Sequence, residues 1–113
     1  MSKREELIAR FAADLREKCR TEPDMALLRK VAIGCGPVIY NRDSATVAAS
    51  QPEELETIKR NFLIRKLGLE DGPHLTEGLQ KAVETYGKSE RQKLRAVLYY
   101  LLVKQFGRES AYG

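Results

Sequence analysis

Residues 96–103 (AVLYYLLV) are eight consecutive side chains with no charge on any face. A helix that is apolar all round must be surrounded by other elements, so this run places its segment in the middle of a core. An eight-residue strand would share the pattern, because short apolar runs do not fix their own period. The helix formers Arg91, Gln92, Lys93, Leu94 and Arg95 just ahead of the run favour helix. Eight residues also fall far short of the about 20 that span a bilayer. Residues 89–106 are therefore expected to form a core helix, not a membrane anchor.

The other segments read as amphipathic helices laid around it. Ser2 and Glu5 have capping-box spacing, in which Ser caps the first amides and Glu reaches back. Behind them Leu7, Ile8, Phe11, Ala12, Leu15 and Cys19 recur at helical spacing. Glu6, Arg10, Asp14 and Glu17 line the opposite face, which predicts a helix over 3–19. Glu6–Arg10 and Asp14–Lys18 are acid-then-base pairs one turn apart. Thr21 or Asp24 can cap a second helix, on which Met25, Leu28, Val31 and Ala32 share a face until Gly34. Val38, Ile39 and Tyr40 suggest a single turn, and residues 41–50 a loop. Ser50 and Glu53 repeat the capping box before a stripe of Leu55, Ile58 and Phe62. Gly68 is placed to end that helix in the left-handed conformation, with Leu69 folding back. From Pro73 the residues Leu75, Leu79, Ala82, Val83 and Tyr86 form a narrow apolar arc, closed by Gly87. Gly78 within it is unfavourable for a helix and marks a close crossing. Ser89 and Gln92 form a weaker capping box ahead of the central helix. Residues 107–113 are expected to fray, although Tyr112 is able to dock. The resulting expectation is an all-α single domain over 1–113, with five main helices and the C-terminal one central.

A chain of 113 residues can bury about two-thirds of its unfolded surface in one core. With 42% hydrophobic and 32% charged residues it is neither apolar-poor nor biased enough for disorder. A net charge of +4 permits contact with nucleic acid or anionic surfaces without requiring it. No apolar stretch follows the opening MSKREEL, which points to the cytoplasm. Cys19 and Cys35 fit that compartment as small buried apolar residues.

Chemistry-bearing residues are sparse. The lone histidine, His74, falls in the first turn of a helix, where the dipole disfavours its protonation and exposure is expected. One His and two Cys cannot supply a tetrahedral zinc site. Glu70 and Asp71 could serve magnesium by count alone, but they sit in an ordinary turn. Gly34-Cys35-Gly36 could aim amides at a phosphate, yet no Lys or Arg lies between Val31 and Asn41, so a tight turn is the simpler reading. Two basic clusters stand out, Lys59, Arg60, Arg65 and Lys66, then Lys88, Arg91, Lys93 and Arg95. They would form a phosphate-contacting patch if the fold joined them, and otherwise are solvated helix ends. On a helical wheel Tyr100 aligns with Lys93 and Lys104, which puts its hydroxyl in water at the rim. Tyr99 points towards Arg95, Leu102 and Phe106.

The segments MSKREELIARFAADL, IGCGPVIYN, NFLIRKLGLEDGP and RAVLYYLLVKQFGRES, with a terminal AYG, resemble a family of short bacterial proteins of unknown function. The resemblance spans nearly the whole chain and implies a small cytosolic helical protein of bacterial source. It transfers no activity, cofactor or catalytic residue. The residues favour a non-catalytic protein-interaction or accessory module, whose partner is another protein or a second copy. Nucleic-acid binding is the alternative, disfavoured by the acids interleaved with the bases, and an enzyme comes third. No cofactor, metal or membrane contact is expected. The candidate partner or phosphate contacts are Lys59, Arg60, Lys88, Arg91, Lys93, Tyr100 and Lys104.

Overall fold

A computed structural model describes residues 2–113. Five α-helices are present among the described residues: α1 (Lys3–Glu17), α2 (Met25–Cys35), α3 (Pro52–Ile58), α4 (Pro73–Tyr86) and α5 (Arg95–Phe106). Short 3₁₀ turns follow α2 (Gly36–Tyr40) and α5 (Glu109–Tyr112), and two-residue strands β1 (Thr46–Val47) and β2 (Lys93–Leu94) pair antiparallel. The expected all-α single domain is found, with this one small ribbon added.

The apolar run behaves as its composition demands. Ala96, Val97, Leu98, Leu102 and Val103 are all within 1% of complete burial. Helices α1, α2 and α4 pack on α5 from different sides. Gly78 on α4 is the close crossing anticipated: a Cβ there would lie 2.3 Å from Phe106 Cζ, and Gln105 Nε2 donates to the Gly78 carbonyl at 2.6 Å. Ser2 caps α1 through the Glu5 amide at 3.2 Å, while the Glu5 side chain pairs with Arg29 on α2 instead of reaching back. Asp24, at the start of α2, caps the Leu27 amide.

Several boundaries differ from expectation. The central helix begins at Arg95, six residues after the expected start at residue 89. Lys93 and Leu94 pair with β1, and the Arg95 amide donates to the Ala45 carbonyl at 2.7 Å, so long-range pairing overrides local propensity. The Ser89–Gln92 capping box is accordingly absent, and β1 lies inside the segment expected to be loop. Gln51, not Ser50, is the N-cap of α3, with no side-chain cap. Helix α2 continues through Gly34 to Cys35, and Gly36 ends it at φ +74°.

Beyond α3 the helix widens into a π-helical stretch, Lys59–Lys66, with the Leu67 amide bonded five residues back to Phe62. The wide turn brings apolar Leu67, rather than charged Lys66, onto the buried side with Phe62 and Leu63. Asp14, assigned to the solvent face of α1, is buried, whereas Met25 is 39% exposed. The tail does not fray: Tyr112 packs over Gly34, and the Lys66 ammonium sits 4.6 Å from its ring centroid.

Gly78→Ala should run against helix propensity. Instead of gaining about 1 kcal/mol, the variant should lose roughly 1–3 kcal/mol in chemical denaturation, because the new methyl meets Phe106. Adding Phe106→Leu should recover part of that loss. A stabilised Gly78→Ala would contradict the crossing.

Candidate functional site

Arg95, the first residue of α5, fixes the segment between the 3₁₀ turn after α2 and β1. Its Nε donates to the Ser44 carbonyl at 2.9 Å, one terminal nitrogen to the Thr46 carbonyl at 3.3 Å and to Glu54 at 2.9 Å, and the other to the Tyr99 hydroxyl at 3.2 Å. Burial opposes the Arg95 charge, but Tyr99 and Glu54 more than offset it and hold its pKa above the ordinary value. Asn41 Oδ1 accepts from the Asp43 amide at 2.9 Å, tightening the same turn.

This braced segment forms one wall of a cleft of about 730 Å³. Lys3, Leu7, Arg10 and Phe11 of α1 form the facing wall, at helical spacing. Ile39 and Leu94 complete an apolar floor with Phe11, all three buried, and Tyr40, Arg42 and Asp43 stand at the mouth. Lys3, Arg10, Arg42 and Tyr40 are exposed. Sequence reasoning placed Arg10 on a solvated face and read residues 41–50 as loop, so it missed this cleft. Only the spacing of Lys3, Leu7 and Arg10 hinted at a shared face.

The residues singled out from the sequence fare differently. Lys59 pairs with Glu56 and Asp71 at 3.4 and 3.5 Å, and Arg60 with Glu56 at 3.1 Å. Lys88 pairs with Glu84 at 3.6 Å and Lys104 with Glu109 at 3.3 Å, whereas Arg91 is exposed and has no ion-pair partner among the described residues. Lys59 lines one cleft and Lys88 and Arg91 a second, and both clefts are bounded by Ala49, Ser50 and Gln80. The two clusters therefore flank one stretch of chain, with carboxylates on four of their eight cations.

Two of the seven are corrected outright. Lys93 is 3% exposed and donates to the Glu90 carbonyl at 2.6 Å, and burial lowers its pKa, so it is not a surface contact. Tyr100 is 1% exposed, and its hydroxyl accepts from the Asp24 amide at 2.8 Å. A wheel drawn on α5 alone assumes a wet rim, but α2 covers that side. Tyr99 is the half-buried one, stacked on Phe62 with centroids 3.9 Å apart.

His74 is exposed in the first turn of α4, as anticipated. Both cysteines are free thiols, Cys19 buried and Cys35 half-buried. Burial, with Asp14 adding to it at Cys19, pushes each thiol up to about 11. Among the described residues no three His, Cys, Asp or Glu side chains gather to hold a metal ion. No helix there is long and apolar enough to cross a membrane.

Fold and site together define a small, mostly helical domain with a cationic cleft at the ribbon end of α1. The chain belongs to the family described as Protein of unknown function (DUF2853), which matches residues 10–110. No curated protein matches it.

Arg95→Met should remove the brace without removing bulk. Hydrogen exchange at residues 42–47 should accelerate at least about tenfold and stability fall by about 2–4 kcal/mol, given several charge-assisted bonds lost. Unchanged exchange there would mean the wall stands without Arg95.

The thiols make a pH test. Their folded pKa lies above the unfolded value, so they favour folding below pH about 9, a contribution lost as pH rises through about 11. Alkylation of the folded protein should stay slow at pH 8 and climb towards pH 11, while in urea it follows an ordinary thiol near about 8.5. A folded-state midpoint near about 8.5 would contradict the burial.

Proposed function

We propose that the protein is a non-catalytic protein-interaction or accessory module of the bacterial cytoplasm, which docks another protein or a second copy through α2. One observation carries this reading. Among the described residues, the large apolar side chains left exposed are Met25 (39%), Ile33 (47%) and Tyr40 (48%), all within α2 and the turn that follows it. Met25 and Ile33 are eight residues apart, about two turns, and so share one face. Ala26 and Pro37 are exposed on the same stretch. Scattered apolar residues are normal on a surface, and their concentration on one segment supports a contact there.

The chemistry of the remaining groups supports binding over catalysis. A solitary exposed His74 has no partner for acid–base work, and thiols held protonated are poor nucleophiles. Free thiols suit a reducing compartment, and the likeness to short bacterial proteins supports the source. Nucleic acid is the weaker alternative, since Lys59, Arg60, Lys88 and Lys104 are already engaged by carboxylates.

The test compares the protein with a Met25→Asp/Ile33→Asp variant. Sedimentation across concentrations and affinity capture from the native cell should show a self-complex or one stoichiometric partner, lost in the variant at unchanged helicity. Identical behaviour of the two would sink the α2 reading. Micromolar binding of DNA or RNA at about 150 mM salt, where weak phosphate contacts fail, would promote the alternative.

A further inference from the structure

The cleft beside α1 brings three cations together. Arg16, Lys18, Arg29, Lys59, Arg60, Lys88, Arg95 and Lys104 each meet a carboxylate. Lys3, Arg10 and Arg42 line one cleft together, and none has an ion-pair partner among the described residues. Against these three cations the cleft holds a single acid, Asp43. Lys3 also occupies the first turn of α1, where the helix end is already positive and an anion would be favoured.

The shape selects further. About 730 Å³ lies within the range of small-molecule sites. The floor is apolar, and Tyr40 offers an exposed ring at the mouth. The loop wall is held in place by Arg95 and Asn41 without help from any ligand, which reduces the ordering cost of binding. Two arginines provide planar forks that match phosphate oxygens.

We infer that this cleft binds a small phosphorylated ligand bearing a planar ring, of the nucleotide class. The phosphates lie among Lys3, Arg10 and Arg42, and the ring stacks on Tyr40 over the apolar floor. Asp43 accepts, and Gln92 donates or accepts, hydrogen bonds from ring or sugar. A small ligand is favoured over a polymer because the three cations converge on one cleft of about 730 Å³. The cleft shares Tyr40 with the segment proposed to dock. Lys3, Arg10 and Arg42 lie outside that segment and Met25 and Ile33 outside the cleft, so either reading can fail alone.

Chemical-shift titration of the full chain with ATP, GTP, tripolyphosphate and adenosine tests it. ATP or GTP should give saturable shifts confined to residues 3–11, 39–46 and 92–94, with a dissociation constant below about 1 mM. Lys3→Ala/Arg10→Ala/Arg42→Ala should weaken binding about tenfold or more. Tyr40→Ala should weaken nucleotide binding and leave tripolyphosphate unaffected. All four positions are exposed, so the variants should keep the wild-type circular dichroism. No saturation by either nucleotide, or shifts centred elsewhere, would overturn the site. Tripolyphosphate binding as tightly as ATP, with Tyr40→Ala indifferent, would overturn the ring-bearing ligand. Tighter binding of a single-stranded oligonucleotide at the same residues would overturn the small-ligand reading.

Discussion

The Tyr86 hydroxyl ties the end of α4 to the distant α1 and to β2, which follows α4 in the chain. It donates to Asp14 on α1 at 2.6 Å and accepts from the Leu94 amide of β2 at 2.9 Å, all in the interior. In a low-dielectric core such a relay is strong when complete and expensive when broken, because each orphaned group keeps its desolvation penalty. Burial first, and Asp14 next, raise the Tyr86 pKa, so the phenol stays a donor. Lys18 completes the knot, reaching Asp14 at 3.6 Å and Glu90 at 3.3 Å. Among the described residues no buried side-chain nitrogen or oxygen lacks a partner.

The start of α5 depends on that knot. Once Tyr86 and β1 hold Lys93 and Leu94 extended, the helix begins at Arg95, and the Arg95 side chain swings back over the loop before β1. The same residue thus begins the core helix and braces one wall of the cleft. Core and site are built by one device: an apolar helix whose first, charged residue is spent on the backbone of a distant segment. Had the helix begun at residue 89, Arg95 would lie mid-helix and that wall would lose its brace.

Charge on this surface follows a related logic. Among the described residues, eight of the twenty lysines and arginines face acids, so mild basicity says little about a partner. Isolated pairs of this kind add at most about 1 kcal/mol each to stability, but they set where positive potential survives. Three cations unpaired among the described residues meet at the cleft between α1 and β1, a convergence that the net charge of the chain could not reveal.

Much of the architecture was legible in order along the chain. The run at 96–103 demanded a surrounded helix, Gly68 and Gly87 stopped theirs with φ of +71° and +116°, and Gly78 marked the crossing. These are local rules, since periodicity and a glycine's steric freedom act within one turn. The start of α5, the wide turn at Phe62–Leu67, the burial of Asp14 and the exchanged roles of Tyr99 and Tyr100 were decided only in three dimensions. The first depends on β1 at residue 46, the burial of Asp14 on Tyr86 of α4, and the exchange of the tyrosines on Asp24 of α2, each far along the chain. The cleft likewise joins residues near 3, 42 and 92. Sequence determined which faces are apolar; tertiary packing decided which of them stay wet, because burial belongs to pairs of surfaces and not to one helix.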